Sequence, residues 1–209
     1  VVAAAGSGAE GENERGEDSH GPHRFSAGRS HSPGFCRRGE IGAAVRRIER
    51  DDTAMSDSDL ANVRTLLTSE RNATLCTAHA AMDGWPFGSI VPYALTPQGD
   101  AVVFLSDISE HCKNLQADPR ATLFVADRTA SDEPQSGPRH AMLAKARCPE
   151  GDEQAAAEAL YFARFPHAER MRSAHGFQVW LLECQRIRWI AGFGAMGWIE
   201  RAEWTGASS

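Results

Sequence analysis

The sequence predicts an α+β fold, mainly β: a small antiparallel barrel decorated by a few helices. Two observations carry this. About seven runs rich in β-branched and apolar residues recur between positions 73 and 191, against only three or four short helical patterns. Two of those runs are joined by Thr96-Pro97-Gln98-Gly99-Asp100, a hairpin connection with proline and glycine at turn positions.

The elements follow in order. Leu60, Val63, Leu66 and Leu67 repeat at helical spacing, with Asp57 or Ser58 available to cap the start. Strands are read at 73–78, 87–95, 101–105 and 121–126. Between the third and fourth, a polar helix begins near Ser109 and ends at Asp118-Pro119. A loop rich in Ser, Asp and Pro runs over 127–138, and 139–148 returns to strand. The helix over 153–164 has an acidic first turn, then alanines, and closes on Leu160, Tyr161 and Phe162. Phe165-Pro166 stops it, a short helical piece is expected around 169–173, and strands at 177–184 and 186–191 complete the set.

The stretch over 86–115, PFGSIVPYALTPQGDAVVFLSDISEHCKNL, is the most informative. Its helix start carries Ser109, His111 and Asn114, donors that suit a phosphate or carboxylate, because free backbone amides and the helix dipole both favour an anion there. The plainer reading is a hairpin followed by a helix.

Length and composition bound the organisation. At 209 residues the chain suits one ordinary domain. Residues 1–54, rich in Gly, Ser, Glu, Arg and His, have too little apolar content to offset ordering entropy, and are expected to be a disordered tail or an over-extended N-terminus. A folded domain is expected over 55–201, with 202–209 a C-terminal tail. A net charge of −6 argues against binding nucleic acid through phosphate neutralisation. No apolar run approaches the roughly 18 residues of a membrane span. Five cysteines without a C-x-x-C pair read as reduced thiols, so a cytoplasmic location is expected. Cys76, Cys112, Cys148 and Cys184 recur every 36 residues, but their flanks share nothing.

Several motifs fail on context. Gly6/Gly8/Gly11 and Gly192/Gly194/Gly197 match G-x-G-x-x-G, yet neither sits in a βαβ unit, and twelve residues follow Gly197. No G-x-S-x-G elbow is present. His79, His140, His167 and His175 are scattered, and no spacing selects a ligand. His111 and Cys112 are read as a solvated helix face, and Trp180, Trp189 and Trp198 as core or dimer-interface packing.

Three signatures then combine. Pro86-Phe87-Gly88-Ser89-Ile90-Val91-Pro92-Tyr93 is followed by Leu105-Ser106, His111-Cys112-Lys113-Asn114-Leu115 and Asp118-Pro119-Arg120. A strand Arg139-His140-Ala141-Met142-Leu143-Ala144-Lys145-Ala146 comes later, and the series ends on Gly192-Phe193-Gly194-Ala195 and Gly197-Trp198. From Leu60 to Ile199 this resembles the FMN-binding split-barrel superfamily of pyridoxamine 5′-phosphate oxidase, nearest its HugZ-type haem-utilisation and CREG-like branch.

The resemblance implies an antiparallel split barrel that forms a homodimer with flavin at the subunit seam. It implies that Ser89, Ile90 and Val91 line the isoalloxazine ring. Ser106, Ser109, His111 and Asn114 then face the ribityl chain and phosphate, with Arg139 and Lys145 as cationic contributors. The expected cofactor is FMN, with haem as the alternative, and the expected activity a flavin-dependent oxidoreductase on an unknown small molecule. The other readings are a non-enzymatic CREG-like barrel and a haem-binding or haem-degrading protein. No catalytic residue and no metal ligand is assigned.

Overall fold

A reciprocal cap starts the first helix, α1 (Asp57–Ser69). The Ser56 Oγ accepts from the Asp59 amide at 3.2 Å, and the Asp59 carboxylate accepts from the Ser56 amide at 3.3 Å. The cap thus precedes the expected Asp57 or Ser58, because the three-residue spacing to Asp59 selects Ser56. This computed structural model describes residues 55–129, 135–173, 176–192 and 195–206. The expectations for residues 1–54 and for His175, Phe193 and Gly194 lie outside the described residues.

The strands form one antiparallel sheet. β1 (Asn72–Ala78) lies between β2 (Pro86–Leu95) and β4 (Arg120–Ala126), and β2 turns through 96–100 into β3 (Ala101–Ser106). β5 (Arg139–Arg147) joins β4 to β6 (Phe177–Ile190). The first half of β6 pairs with β3, which closes a six-stranded barrel, while its second half pairs with β7 (Met196–Glu200). One 14-residue strand is thereby shared between the barrel seam and an added strand.

β6 corrects the expectation of separate strands at 177–184 and 186–191. Leu143 faces Arg186 while Ala144 faces Cys184, so Gln185 is an extra residue absorbed as a bulge. A polar residue out of phase looks like a break in sequence, but the ladder continues through it.

Alternation fills the barrel. Leu75, Leu123, Met142, Leu182 and Ile187 point inward and are fully buried, and Val63 and Leu67 of α1 cover them. Trp180 and Trp189 are buried in this core, whereas Trp198 stands half-exposed on the outer face with Arg186 over its ring at 4.3 Å. A second apolar cluster forms where Tyr161, Phe162 and Phe165 pack on Val102, Val179 and Leu181. The first two belong to α3 (Gly151–Arg164), and Phe165 caps it before a 3₁₀ turn over Pro166–Met171. That turn starts earlier than the expected 169–173 because Pro166 supplies a pre-set first helical position.

The segment expected to be a tail from residue 202 is helical to residue 206. α4 (Arg201–Gly206) buries Trp204 completely. The Trp204 indole donates to the Gly99 carbonyl at 2.9 Å, and the Arg64 guanidinium lies 4.3 Å over the ring. Gly99 has φ +85°, and a Cβ there would run into the indole, so the turn and the plug require glycine together. A single tryptophan among polar residues has no periodicity, so the sequence offers no packing signal here.

Candidate functional site

α2 (Glu110–Ala117) leaves the end of β3 through Asp107, Ile108 and Ser109. Ser109 is its N-cap residue but turns its Oγ away from the helix, donating to the Ser106 carbonyl at 2.6 Å. Asn114 is fully buried. Its Nδ2 donates to Thr77 Oγ1 at 3.0 Å and its Oδ1 accepts from the Ala80 amide at 2.9 Å. Asn114 therefore ties α2 to the end of β1, with both ends of its amide engaged. Cys112 is also fully buried, which corrects the solvated-face reading of the His111–Cys112 pair. His111 is half-buried, and desolvation pushes its pKa below the ordinary histidine value.

Strand alternation separates the three β2 residues expected to act together. Ser89 faces Leu75 on the inner side and Val91 is buried, while Ile90 points outward and is 73% exposed. The two expected cations separate as well. Lys145 stands on the outer face opposite Arg120. Arg139 lies six residues away at the other end of β5, about 20 Å along the strand. There its guanidinium donates to the carbonyls of Gln135 at 2.7 Å and Gly137 at 3.0 Å. Of the nine expected site residues, Lys145 is the one that lines the groove on this face.

That groove, about 530 Å³, has Cys76, Pro86, Arg120, Thr122, Leu143 and Lys145 among its lining residues. Its walls are mainly apolar, with two cationic side chains across one rung of the β4–β5 ladder. Arg120 is oriented by Asp118, donating from Nε to Oδ1 at 2.9 Å and from Nη2 to Oδ2 at 2.5 Å. This fork holds the Asp118 carboxyl well below the usual range, at about 2. Burial pushes the Cys76 thiol up, which favours its protonated form. Such a groove suits a flat, largely apolar ligand with an anionic arm.

Sequence reasoning missed Arg120, Leu143 and Cys76. Arg120 stood in the D-P-R turn, and the period-two alternation from Lys145 back to Leu143 was the available signal. A band of half-exposed and exposed apolar residues extends beyond the groove: Ile90 and Phe124 flank Thr74, and Leu143 and Trp198 continue it across the sheet. Among the described residues, no group of three His, Cys, Asp or Glu side chains could hold a metal ion, and no helix is long and apolar enough to cross a membrane.

Comparison with known proteins agrees with this architecture. The family model described as CREG, beta-barrel matches residues 56–206. The chloroplastic heme oxygenase HOZ of Arabidopsis thaliana is 26% identical over 142 residues, covering 68% of this chain and 43% of that protein. The chain thus spans less than half the length of that curated relative. A heme binding protein from Mycobacterium smegmatis superposes with TM-score 0.67 at 33% identity, covering 73% of this chain and 62% of that one. A pyridoxinephosphate oxidase family protein from Clostridium acetobutylicum shares the fold at TM-score 0.57 and 10% identity, covering 72% of this chain and 99% of its own.

Proposed function

Because the chain belongs to the CREG β-barrel family, we propose that it binds a tetrapyrrole of the haem class in the outer groove, at a seam formed by two copies of the chain. The observation that carries this is the pairing of an apolar groove with Arg120 and Lys145 side by side. A porphyrin needs apolar contact for its faces and cations for its carboxylates. The names of two relatives, a heme oxygenase and a heme binding protein, point to the same ligand class. The exposed band through Ile90, Phe124 and Trp198 supports the homodimer, since burying it removes apolar area from water.

The residues fit the group in its organic part. Leu143, Pro86 and Thr122 would contact the ring, and Arg120 and Lys145 its carboxylates. Among the lining residues Cys76 is the one soft donor, held as a thiol by burial. When bound, haem would supply redox chemistry at its iron; the chain's own residues bind and orient it. The proposed function is binding, carried by apolar contact and the Arg120–Lys145 pair. FMN is the second reading, favoured by the same cationic pair, which also suits a phosphate.

Titrating the full chain separately with haemin and with FMN, followed by absorbance, tests this. Haemin is expected to give a saturable Soret shift, weakened at least about tenfold, or roughly 1.4 kcal/mol, in the Arg120→Ala/Lys145→Ala double variant. No saturable shift, or unchanged affinity in the double variant, overturns the reading, and saturable binding of FMN alone replaces it with the second. Sedimentation of Ile90→Asp is expected to shift a dimer towards monomer; a monomeric parent protein removes the seam.

A further inference from the structure

The Gln185 bulge does more than lengthen β6. In a regular strand alternate residues face alternate sides, so Cys184, Gln185 and Arg186 would point in, out and in. Cys184 is fully buried, yet Arg186 stands on the outer face opposite Leu143, with its guanidinium over Trp198. The extra residue absorbs the change of phase, so Gln185 and Arg186 both project outward. Gln185 is exposed and lines the outer groove beside Ala144 and Lys145. A bulge interrupts the ladder, and such kinks recur where a side chain has to be re-aimed at a site.

The carboxamide is set in place by its own strand. Its Nε2 donates to the Glu183 carbonyl at 3.0 Å. The Glu183 carboxylate is taken up elsewhere: Arg147 donates to it from Nε at 2.7 Å and is itself held by Glu153. One amide proton of Gln185 and its Oε1 remain, without a partner among the described residues. Together they present a donor beside an acceptor. Their complement is the same pair reversed, a ring N–H beside a ring C=O.

Register then fixes what else the ligand must carry. Arg120, Lys145 and Gln185 lie on three successive strands, β4, β5 and β6. Neighbouring strands are about 4.8 Å apart, so the carboxamide stands roughly 10 Å across the sheet from Arg120. Leu143 and Pro86 supply apolar surface alongside.

We propose that Gln185 is a specificity-determining residue of the outer groove: it reads a cyclic amide edge on a ligand whose anion is held by Arg120 and Lys145. This role rests on the groove being the ligand site proposed for it. Two sources supply the same chemistry. An open-chain tetrapyrrole has lactam rings at its ends and carboxylates between them, and a flavin nucleotide has a pyrimidine edge and a phosphate. A closed porphyrin has the carboxylates but no amide edge, so it leaves the Gln185 donor and acceptor unused.

Absorbance titration of the full chain and of Gln185→Leu with biliverdin, FMN and haemin tests the proposal. Leucine keeps bulk at the bulge and removes both polar groups. Gln185→Leu is expected to weaken whichever of biliverdin and FMN binds the parent protein by about fivefold or more, and to move haemin by less than about twofold. The ligand that responds identifies the source of the edge, lactam or pyrimidine. As a check that needs no variant, the side-chain amide resonances of Gln185, assigned through bonds in the parent protein, should shift on adding that ligand. No saturable binding of either amide-bearing ligand, unchanged affinity for both, an equal loss for haemin, or unmoved Gln185 resonances overturns the proposal. Haemin binding that depends on Arg120 and Lys145 leaves the groove reading intact in each of those cases. If none of the three ligands binds saturably, the groove reading falls and the role of Gln185 falls with it.

Discussion

Acid should destabilise this barrel, and His140 is the side chain whose share can be isolated by substitution. Burial holds its imidazole neutral, with a pKa depressed from the ordinary value near 6.5 to about 4. Above pH 6.5 neither the folded nor the unfolded chain protonates this ring, and stability is indifferent to it. Between pH 6.5 and 4 the unfolded chain takes up a proton that the native state refuses, so stability falls as pH falls. Below about 4 the native ring protonates too, and the loss levels off. A shift of this size corresponds to about 3 kcal/mol. The assay is urea denaturation of the parent protein and His140→Leu at pH 7, 5.5 and 4. Carboxylates elsewhere, Asp118 included, titrate in both proteins and cancel in the difference. The parent is expected to lose about 3 kcal/mol more than the variant between pH 7 and 4. Parallel curves would refute the reasoning. A smaller difference centred near pH 6 would show that Asp59, Glu70 or Asp127 reaches the imidazolium and neutralises it.

Two further outcomes follow from the closing elements. Trp204→Ala is expected to cost about 3–5 kcal/mol, read as a lowered urea midpoint, because it empties a fully buried site against Gly99 and Arg64. An unchanged midpoint would return 202–206 to the status of a tail. Asp100→Ala strands the Cys184 amide, which donates to Asp100 Oδ1 at 2.8 Å, and releases Arg201, which donates at 3.0 Å. The expected loss is about 1–3 kcal/mol, with Asp100→Asn recovering part of it by restoring an acceptor to Cys184. Equal losses for both variants would show that the charge, not the acceptor, matters there.

Much of the fold was legible because its signals are local. Thr96–Asp100 announces a hairpin whatever surrounds it, and the β-branched and apolar runs at 101–105 and 121–126 mark strands locally. The Gln185 bulge was not legible, because whether an out-of-phase residue ends a strand or is absorbed depends on the neighbour's register. The candidate site was less legible still. Ser89, Ile90 and Val91 are adjacent in sequence yet split between two faces, and Asn114 is engaged by Thr77 and Ala80, 37 and 34 residues before it.

Most strands and helices and the hairpin were readable from sequence, because periodicity and turn chemistry act over a few residues, and the motif resemblance pointed to the superfamily. Which side chains share a site depends on strand register and packing between distant segments. The β4–β5 register places Arg120 beside Lys145, and the closing helix α4 brings Trp204 against Gly99. The β5–β6 register likewise sets His140 opposite Trp189. Those juxtapositions depend on register between distant strands, which no local pattern encodes.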